Sequence, residues 1–244
     1  MTAGHVAIVT GASGGVGRAV VARFRAAGYR VVGVDISPAV EDLAVPGEVV
    51  AVTGDAGAAA TAERAVAAAA RFGRLDVLVN NAGRFLQKPI TDTTDGEFDA
   101  LVAANVRSAF VHSRAALPML LDSRGSIVIT ASTSGFVGVA GQSVYAITKG
   151  ALVQLTRALA VEYADRGVRV NAVAPGAIDT DFVAEHRARD PDPERSRRIS
   201  LERHPIGRFS TADEVARAIE FLAHPASGGI TGTVLSVDGG YLAR

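Results

Sequence analysis

The chain, 244 residues long, predicts an α/β protein: a single Rossmann-type doubly wound parallel sheet of about seven strands with helices on both faces. Two observations carry this. Short β-branched runs alternate with longer Ala-rich segments of helical period, the pattern of consecutive βαβ units. A glycine-rich stretch then falls directly behind the first of these runs, where such a sheet makes its first strand-to-helix turn. No internal repeat or interdomain linker interrupts the alternation, so residues 1–244 read as one domain.

In chain order the strands fall at His5 to Thr10, Arg30 to Asp35, Val49 to Thr53, Leu75 to Asn80, Ser126 to Thr130, Arg169 to Ala174 and Val234 to Val237. Between them lie helices at Gly15 to Ala27, Ala58 to Phe72, Asp95 to Leu121, Ser143 to Tyr163 and Ala212 to Ala223. In the fourth helix Leu152, Leu155, Leu159 and Tyr163 recur at helical spacing and form a structural stripe against the sheet or a neighbouring subunit. Glu185 to His204 differs, crowded with Arg, Asp and Glu around Asp190-Pro-Asp-Pro193. That composition reads as exposed, irregular chain, either a solvated insertion or a substrate lid over about residues 181–206.

Composition narrows the function classes. Apolar residues make up 48% and charged residues 20%, enough for a core without staples. Lys plus Arg (25) balances Asp plus Glu (25), so no global field attracts a nucleic acid or an anionic membrane. The absence of cysteine excludes disulfides, thiolate zinc sites and cysteine nucleophiles. Histidines 5, 112, 186, 204 and 224 show no zinc-binding spacing, so no catalytic metal is expected and surface or loop positions are expected for most of them. Met1 to Val9 lacks the marks of a secretory signal, which leaves the cytoplasm as the expected location. Gly125 to Thr148 carries no charge, yet its Gly, Ser, Thr and Gln content argues against a membrane span.

Val6-Ala-Ile-Val-Thr10 runs straight into Gly11-Ala-Ser-Gly-Gly-Val-Gly17. Glycines at a strand-to-helix turn let backbone amides reach a pyrophosphate and aim a helix N-terminus at the anion. The dinucleotide contacts expected here are Gly11, Ser13, Gly14, Gly15, Val16 and Gly17. Asp35 closes the second strand about twenty residues on, where a carboxylate accepts both adenine-ribose hydroxyls and repels a 2′-phosphate. No Lys or Arg occupies Ser13, Gly14 or Ile36, so NAD(H) is preferred over NADP(H). The bland alternative for Asp35 is a strand-end turn former.

Tyr145 and Lys149 stand four residues apart on one helix face. Spacing alone leaves open a half-buried tyrosine beside a solvated lysine. Taken with Thr10 to Gly17, Asn80-Asn-Ala-Gly83, Asn105, Ser132 thirteen residues before the tyrosine, Pro175-Gly176 and Val237-Asp-Gly-Gly240, the chain resembles the short-chain dehydrogenase/reductase family over nearly its whole length. Ala131 before the serine and Thr130 in place of a second serine depart from the usual pattern without removing a catalytic group.

The resemblance implies a catalytic set of Asn105, Ser132, Tyr145 and Lys149, with proton transfer by Tyr145 and carbonyl polarisation by Ser132. In it Lys149 favours the phenolate and binds the nicotinamide ribose, and Asn105 anchors a water leading to solvent. It adds cofactor contacts at Asp55 and Ala56, at Asn81, Ala82 and Gly83, and at Pro175, Gly176, Ile178 and Thr180. For Asn80 and Asn81, bridging of neighbouring strands is an equal and compatible reading. The substrate pocket is expected from Arg84, Phe85, Ser132, Ser134, Phe136, Gln142 and Tyr145. The implied activity is NAD-dependent hydride transfer between a secondary alcohol and its ketone by a homotetramer. An NADPH-dependent 3-oxoacyl-carrier-protein reductase and a non-catalytic nucleotide sensor are the rivals.

Overall fold

The computed structural model describes residues 4–179 and 192–243. Along the chain lie β1 (Val6–Thr10), α1 (Gly15–Ala26), β2 (Arg30–Asp35), β3 (Val49–Thr53), α2 (Ala59–Ala70), β4 (Val77–Asn80) and α3 (Asp95–Val102). They are followed by α4 (Ser108–Ser123), β5 (Ser126–Thr130), α5 (Ser143–Tyr163), β6 (Arg169–Pro175) and β7 (Ile178–Asp179). The remainder comprises α6 (Pro193–Glu202), β8 (Ser210–Thr211), α7 (Ala212–Ala223) and β9 (Val234–Val237).

Seven strands form one parallel sheet in the order β3-β2-β1-β4-β5-β6-β9. After β3 the chain crosses to the other side of β1, so the direction of sheet growth reverses between β1 and β4. In open parallel sheets this reversal leaves a crevice beyond the carboxyl ends of the strands, where ligands bind.

Strand periodicity divides the core in two. In β1, Val6 and Ile8 point into one apolar cluster, with Ala65 and Ala69 of α2, Leu120 of α4 and Leu152 of α5. Ala7 and Val9 point into the other, with Val20 and Phe24 of α1 and Ile219 and Leu222 of α7. The second layer is tied by Arg23, which pairs with Asp213 at 3.0 Å and Glu220 at 2.6 Å. The Leu152 stripe therefore faces the sheet.

Three local differences from the sequence expectation bear on the site. The helix expected at Asp95 to Leu121 is broken by a widened π turn at Ala103–Arg107 between α3 and α4. Ser108, which opens α4, donates from Oγ to the Ala104 carbonyl within the turn at 2.6 Å, and the Asn105 side chain is drawn to partners outside the helix. Residues 193–202, expected to be irregular, form α6, because Asp192 accepts from the Arg195 amide at 3.0 Å and Pro193 occupies the first turn. The ladder between Ile178 and Ser210 was not anticipated, since two-residue strands carry no period.

No described helix is long and apolar enough to cross a membrane. The uncharged stretch from 125 to 148 instead supplies β5 and the start of α5.

Candidate active site

Gly11 turns the chain out of β1 at φ +65°, and a Cβ there would lie 2.9 Å from Ala82 Cα. A Cβ on Gly17 would overlap the Gly11 carbonyl, so both positions require glycine. The N-cap of α1, Gly14, offers no side-chain cap, and the first turn of α1 holds no acidic residue. The opening amides of α1, at Gly15, Val16 and Gly17, are left to an outside acceptor, and the cradle suits a phosphate group.

Asp35 faces this turn. Its Oδ2 accepts from the Ser13 amide at 3.0 Å and its Oδ1 from the Ser37 amide at 3.0 Å. Each carboxylate oxygen keeps a further acceptor site, so Asp35 both fixes the turn and can take ribose hydroxyls. Ile36 beside it is 70% exposed. Asp55 Oδ1 accepts from the Gly57 amide at 2.8 Å, which shapes the loop after β3 and buries Ala56.

The Asn80 to Gly83 segment is bound to both neighbouring strands. Thr10 Oγ1 accepts from the Asn81 and Ala82 amides, each at 3.0 Å. Asn81 Nδ2 donates to the Thr10 and Gly11 carbonyls, each at 3.2 Å, and Asn81 Oδ1 accepts from Thr130 Oγ1 at 3.3 Å. Asn80 Nδ2 reaches Ser113 Oγ at 3.0 Å. The strand-bridging reading holds for Asn81, whereas Asn80 ties β4 to α4. Thr10, which sequence reasoning left without a role, is the hinge of this arrangement.

The four candidate catalytic residues arrive from three elements. Asn105 is fully buried in the π turn, accepts from the Arg84 amide at 2.7 Å and donates to the Arg84 carbonyl at 3.0 Å and Thr148 Oγ1 at 2.9 Å. Both of its side-chain N–H groups are thus engaged, and it bolts the segment after Gly83 to α5. Lys149 is 5% exposed and donates from Nζ to the Thr130 carbonyl at 2.9 Å. Its Nζ lies 5.6 Å from the Tyr145 ring centre. A Cβ on Gly83 would sit 3.0 Å from Asn105 Oδ1 and 3.8 Å from Lys149 Nζ, so the three segments converge at one point.

Ser132 opens the turn after β5, where its Oγ accepts from the Ser134 amide at 3.2 Å. Desolvation pushes the Tyr145 phenol up to about 12, a hydrogen bond with Ser132 opposing it. Desolvation pulls the Lys149 ammonium down to about 8. Burial dominates both groups, and the Lys149 ammonium is directed at the Thr130 carbonyl.

On the substrate side, Phe85 stands edge-on to Tyr145 with ring centres 4.9 Å apart. Ser134 Oγ donates to Gln142 Oε1 at 2.8 Å, while Arg84 extends into solvent and Phe136 is 43% exposed. Pro175 ends β6, Gly176 follows, and Ile178 enters the small ladder to Ser210. Thr180 and residues 181–191 of the expected lid lie outside the described residues, whereas 192–206 are described and hold α6. His5, His204 and His224 lie outside the helices and strands, as expected for most of the histidines, whereas His112 sits within α4; His112 is 1% exposed and His204 3% exposed. Neither has a helix-face signal, because their partners are backbone atoms.

A family profile described as enoyl-(acyl carrier protein) reductase matches residues 11–242. The chain is 41% identical to a 2-(R)-hydroxypropyl-CoM dehydrogenase of Xanthobacter autotrophicus, over 98% of this chain and 99% of the relative. It is 36% identical to a 3-oxoacyl-[acyl-carrier-protein] reductase of Thermotoga maritima, over 97% of each. The crystal structure of levodione reductase superposes with a TM-score of 0.92 at 34% identity, covering 99% of both chains. Fold, crevice and relatives together define an oxidoreductase of the kind that works with a nicotinamide cofactor. The chain belongs to the short-chain dehydrogenase/reductase family.

Proposed function

We propose that the protein interconverts a secondary alcohol and its ketone with NAD(H), using Tyr145 as the acid and base. The observation that carries this reading is the meeting of Ser132, Tyr145 and Lys149 beside Gly83, next to a glycine cradle closed by Asp35. The hydroxypropyl group in one relative's name bears its hydroxyl on a secondary carbon, which fits the same chemistry.

When bound, the nicotinamide supplies the carbon that accepts or returns the hydride of the carbinol C–H. In reduction, the neutral Tyr145 phenol gives its proton to the substrate oxygen, and Ser132 donates a hydrogen bond to the same oxygen. In oxidation Tyr145 must first lose its proton, which is costly in a site that pushes it to about 12. Lys149, cationic below about pH 8, is the charge that offsets this cost once its Nζ turns from Thr130 toward the cofactor ribose. Both Asn105 side-chain N–H groups are engaged, so a proton path to solvent through this residue would use its backbone carbonyl or the remaining acceptor site on Oδ1.

The cofactor contacts of this reading are the opening amides of α1, with Asp35 on the adenine ribose and Ile36 against the adenine. Asp55 and Ala56 lie beside the adenine, and Asn81 to Gly83 floor the cleft. Pro175, Gly176 and Ile178 would face the carboxamide, and Thr180, the fourth residue of this set, lies outside the described residues. Asp35 argues against the NADPH-linked carrier-protein reductase, and the retained Ser, Tyr and Lys against a non-catalytic sensor. The assembly in this reading is a cytoplasmic homotetramer built on α4 and α5, where Phe110 (49%), Ile147 (54%) and Val161 (84%) are exposed. Light scattering at micromolar concentration tests it.

Titration with NADH and NADPH, followed by cofactor fluorescence and repeated with Asp35→Ala, tests the central reading. Tighter NADH binding with discrimination lost in the variant supports it. A preference for NADPH in the unmodified protein overturns the role of Asp35 and favours the carrier-protein reductase.

A further inference from the structure

His204 lies just beyond α6, 3% exposed, and the proposed chemistry makes no use of it. Its Nε2 accepts from the Ala177 amide at 3.2 Å, and its Nδ1 lies 2.7 Å from the Ser200 carbonyl. A carbonyl can only accept, so Nδ1 carries the proton and Nε2 the lone pair. The ring packs edge-on to Phe209 at 5.5 Å and against Tyr241 at 5.3 Å, between the chain leading to β8 and the C-terminal turn. Gly176 makes the approach possible, because a Cβ there would stand 2.7 Å from His204 Nε2 and 3.2 Å from Asp238 Cα.

We propose that His204, in its neutral Nδ1-protonated form, is a positioning residue that clamps the Pro175-Gly176-Ala177 turn to α6 and thereby sets the nicotinamide end of the cleft. The inference rests on the reading of that turn as cofactor-contacting. Its physical basis is the Ala177 amide, which has His204 Nε2 as its acceptor and leads directly into Ile178 and the ladder to Ser210. A second proton on the imidazole would set one N–H against another and release the turn. The groups around the ring leave this bond in place. Asp238 spends its carboxylate on the Gly240 and Leu242 amides, and Tyr241 presents its ring. From α6, Arg197 lies over Phe209. Arg208 pairs with Glu214, and Glu202 and Arg203 face solvent.

The test uses the full-length protein and its His204→Gln and His204→Phe variants. Nitrogen-15 NMR of the imidazoles is expected to show His204 as the Nδ1–H tautomer, and an Nε2–H tautomer overturns the clamp. NADH affinity of the unmodified protein, measured between pH 8 and pH 5.5, is expected to fall toward the acid end as the acceptor for the Ala177 amide is lost. His204→Gln, whose Oε1 can still accept from Ala177, is expected to keep the neutral-pH affinity and flatten that decline. His204→Phe, similar in volume but without an acceptor, is expected to weaken NADH binding about tenfold at every pH. Unchanged binding in a folded His204→Phe, or the same acid decline in His204→Gln, overturns the proposal. If His204→Phe does not fold, the Gln variant and the tautomer decide. If the unmodified protein binds no nicotinamide nucleotide, the cofactor reading falls, while the tautomer still tests the clamp separately.

Discussion

Replacing Lys149 by Met should remove turnover and at the same time stabilise the cofactor-free protein. Lys149 is buried, and desolvation pulls its ammonium from 10.5 down to about 8. At 1.36 kcal/mol per unit, holding the charge at pH 7 costs about 3 kcal/mol. Met keeps the length of the side chain and has no charge to desolvate. It forfeits the hydrogen bond to the Thr130 carbonyl, worth about 1 kcal/mol, which leaves a net gain of about 2 kcal/mol. The pH dependence has a fixed sign. Between about pH 8 and 10.5 the unfolded chain holds more protons at this lysine than the folded one, so the unmodified protein gains stability with rising pH there. The advantage of the variant should therefore be full below pH 8 and gone near pH 10.5. Urea unfolding at pH 7 and pH 10, at one protein concentration, measures both. A variant less stable than the parent at pH 7, or a gap that does not close with pH, would refute the account of Lys149 as a cation held against desolvation.

Tyr145→Phe should bind NADH as the parent does and lose at least about a hundredfold in turnover of any substrate found. Equal turnover in a fluorescence-monitored assay removes the tyrosine from the mechanism. Because burial holds the phenol up at about 12, alcohol oxidation by the parent should rise through the alkaline range while ketone reduction does not, and parallel pH profiles would contradict this. Gly17→Ala places a Cβ against the Gly11 carbonyl and should abolish cofactor binding in a chain whose circular dichroism remains native. Retained binding would mean that the turn relaxes.

The parts of the molecule legible in the sequence are those whose cause is local. β1, β2 and β5 were bounded within a residue because a parallel strand buried on both faces needs a short apolar run ended by a turn, and that is a property of neighbouring residues. Gly11 and Gly17 were legible for the same reason. α6 is equally local, since an Asp followed by Pro is a helix start as well as a loop signal, and the charged residues of this segment lie on an exposed helix rather than on irregular chain.

The π turn has a different origin. The chain widens at Asn105 because the side chain is held by Arg84, 21 residues earlier, and by Thr148, 43 residues later. No window of sequence contains both partners. Gly176 and His204 make the same point from the side of function: each is unremarkable alone, a turn glycine and a charged-segment histidine, and only the fold shows that the missing Cβ of one admits the imidazole of the other. Tyr145 and Lys149 lie between these cases. Their spacing on one helix face follows from the sequence, whereas the burial that sets their protonation comes from elements that pack on that face. Motif reading therefore locates the residues, while the desolvation acting on them is visible only in the fold.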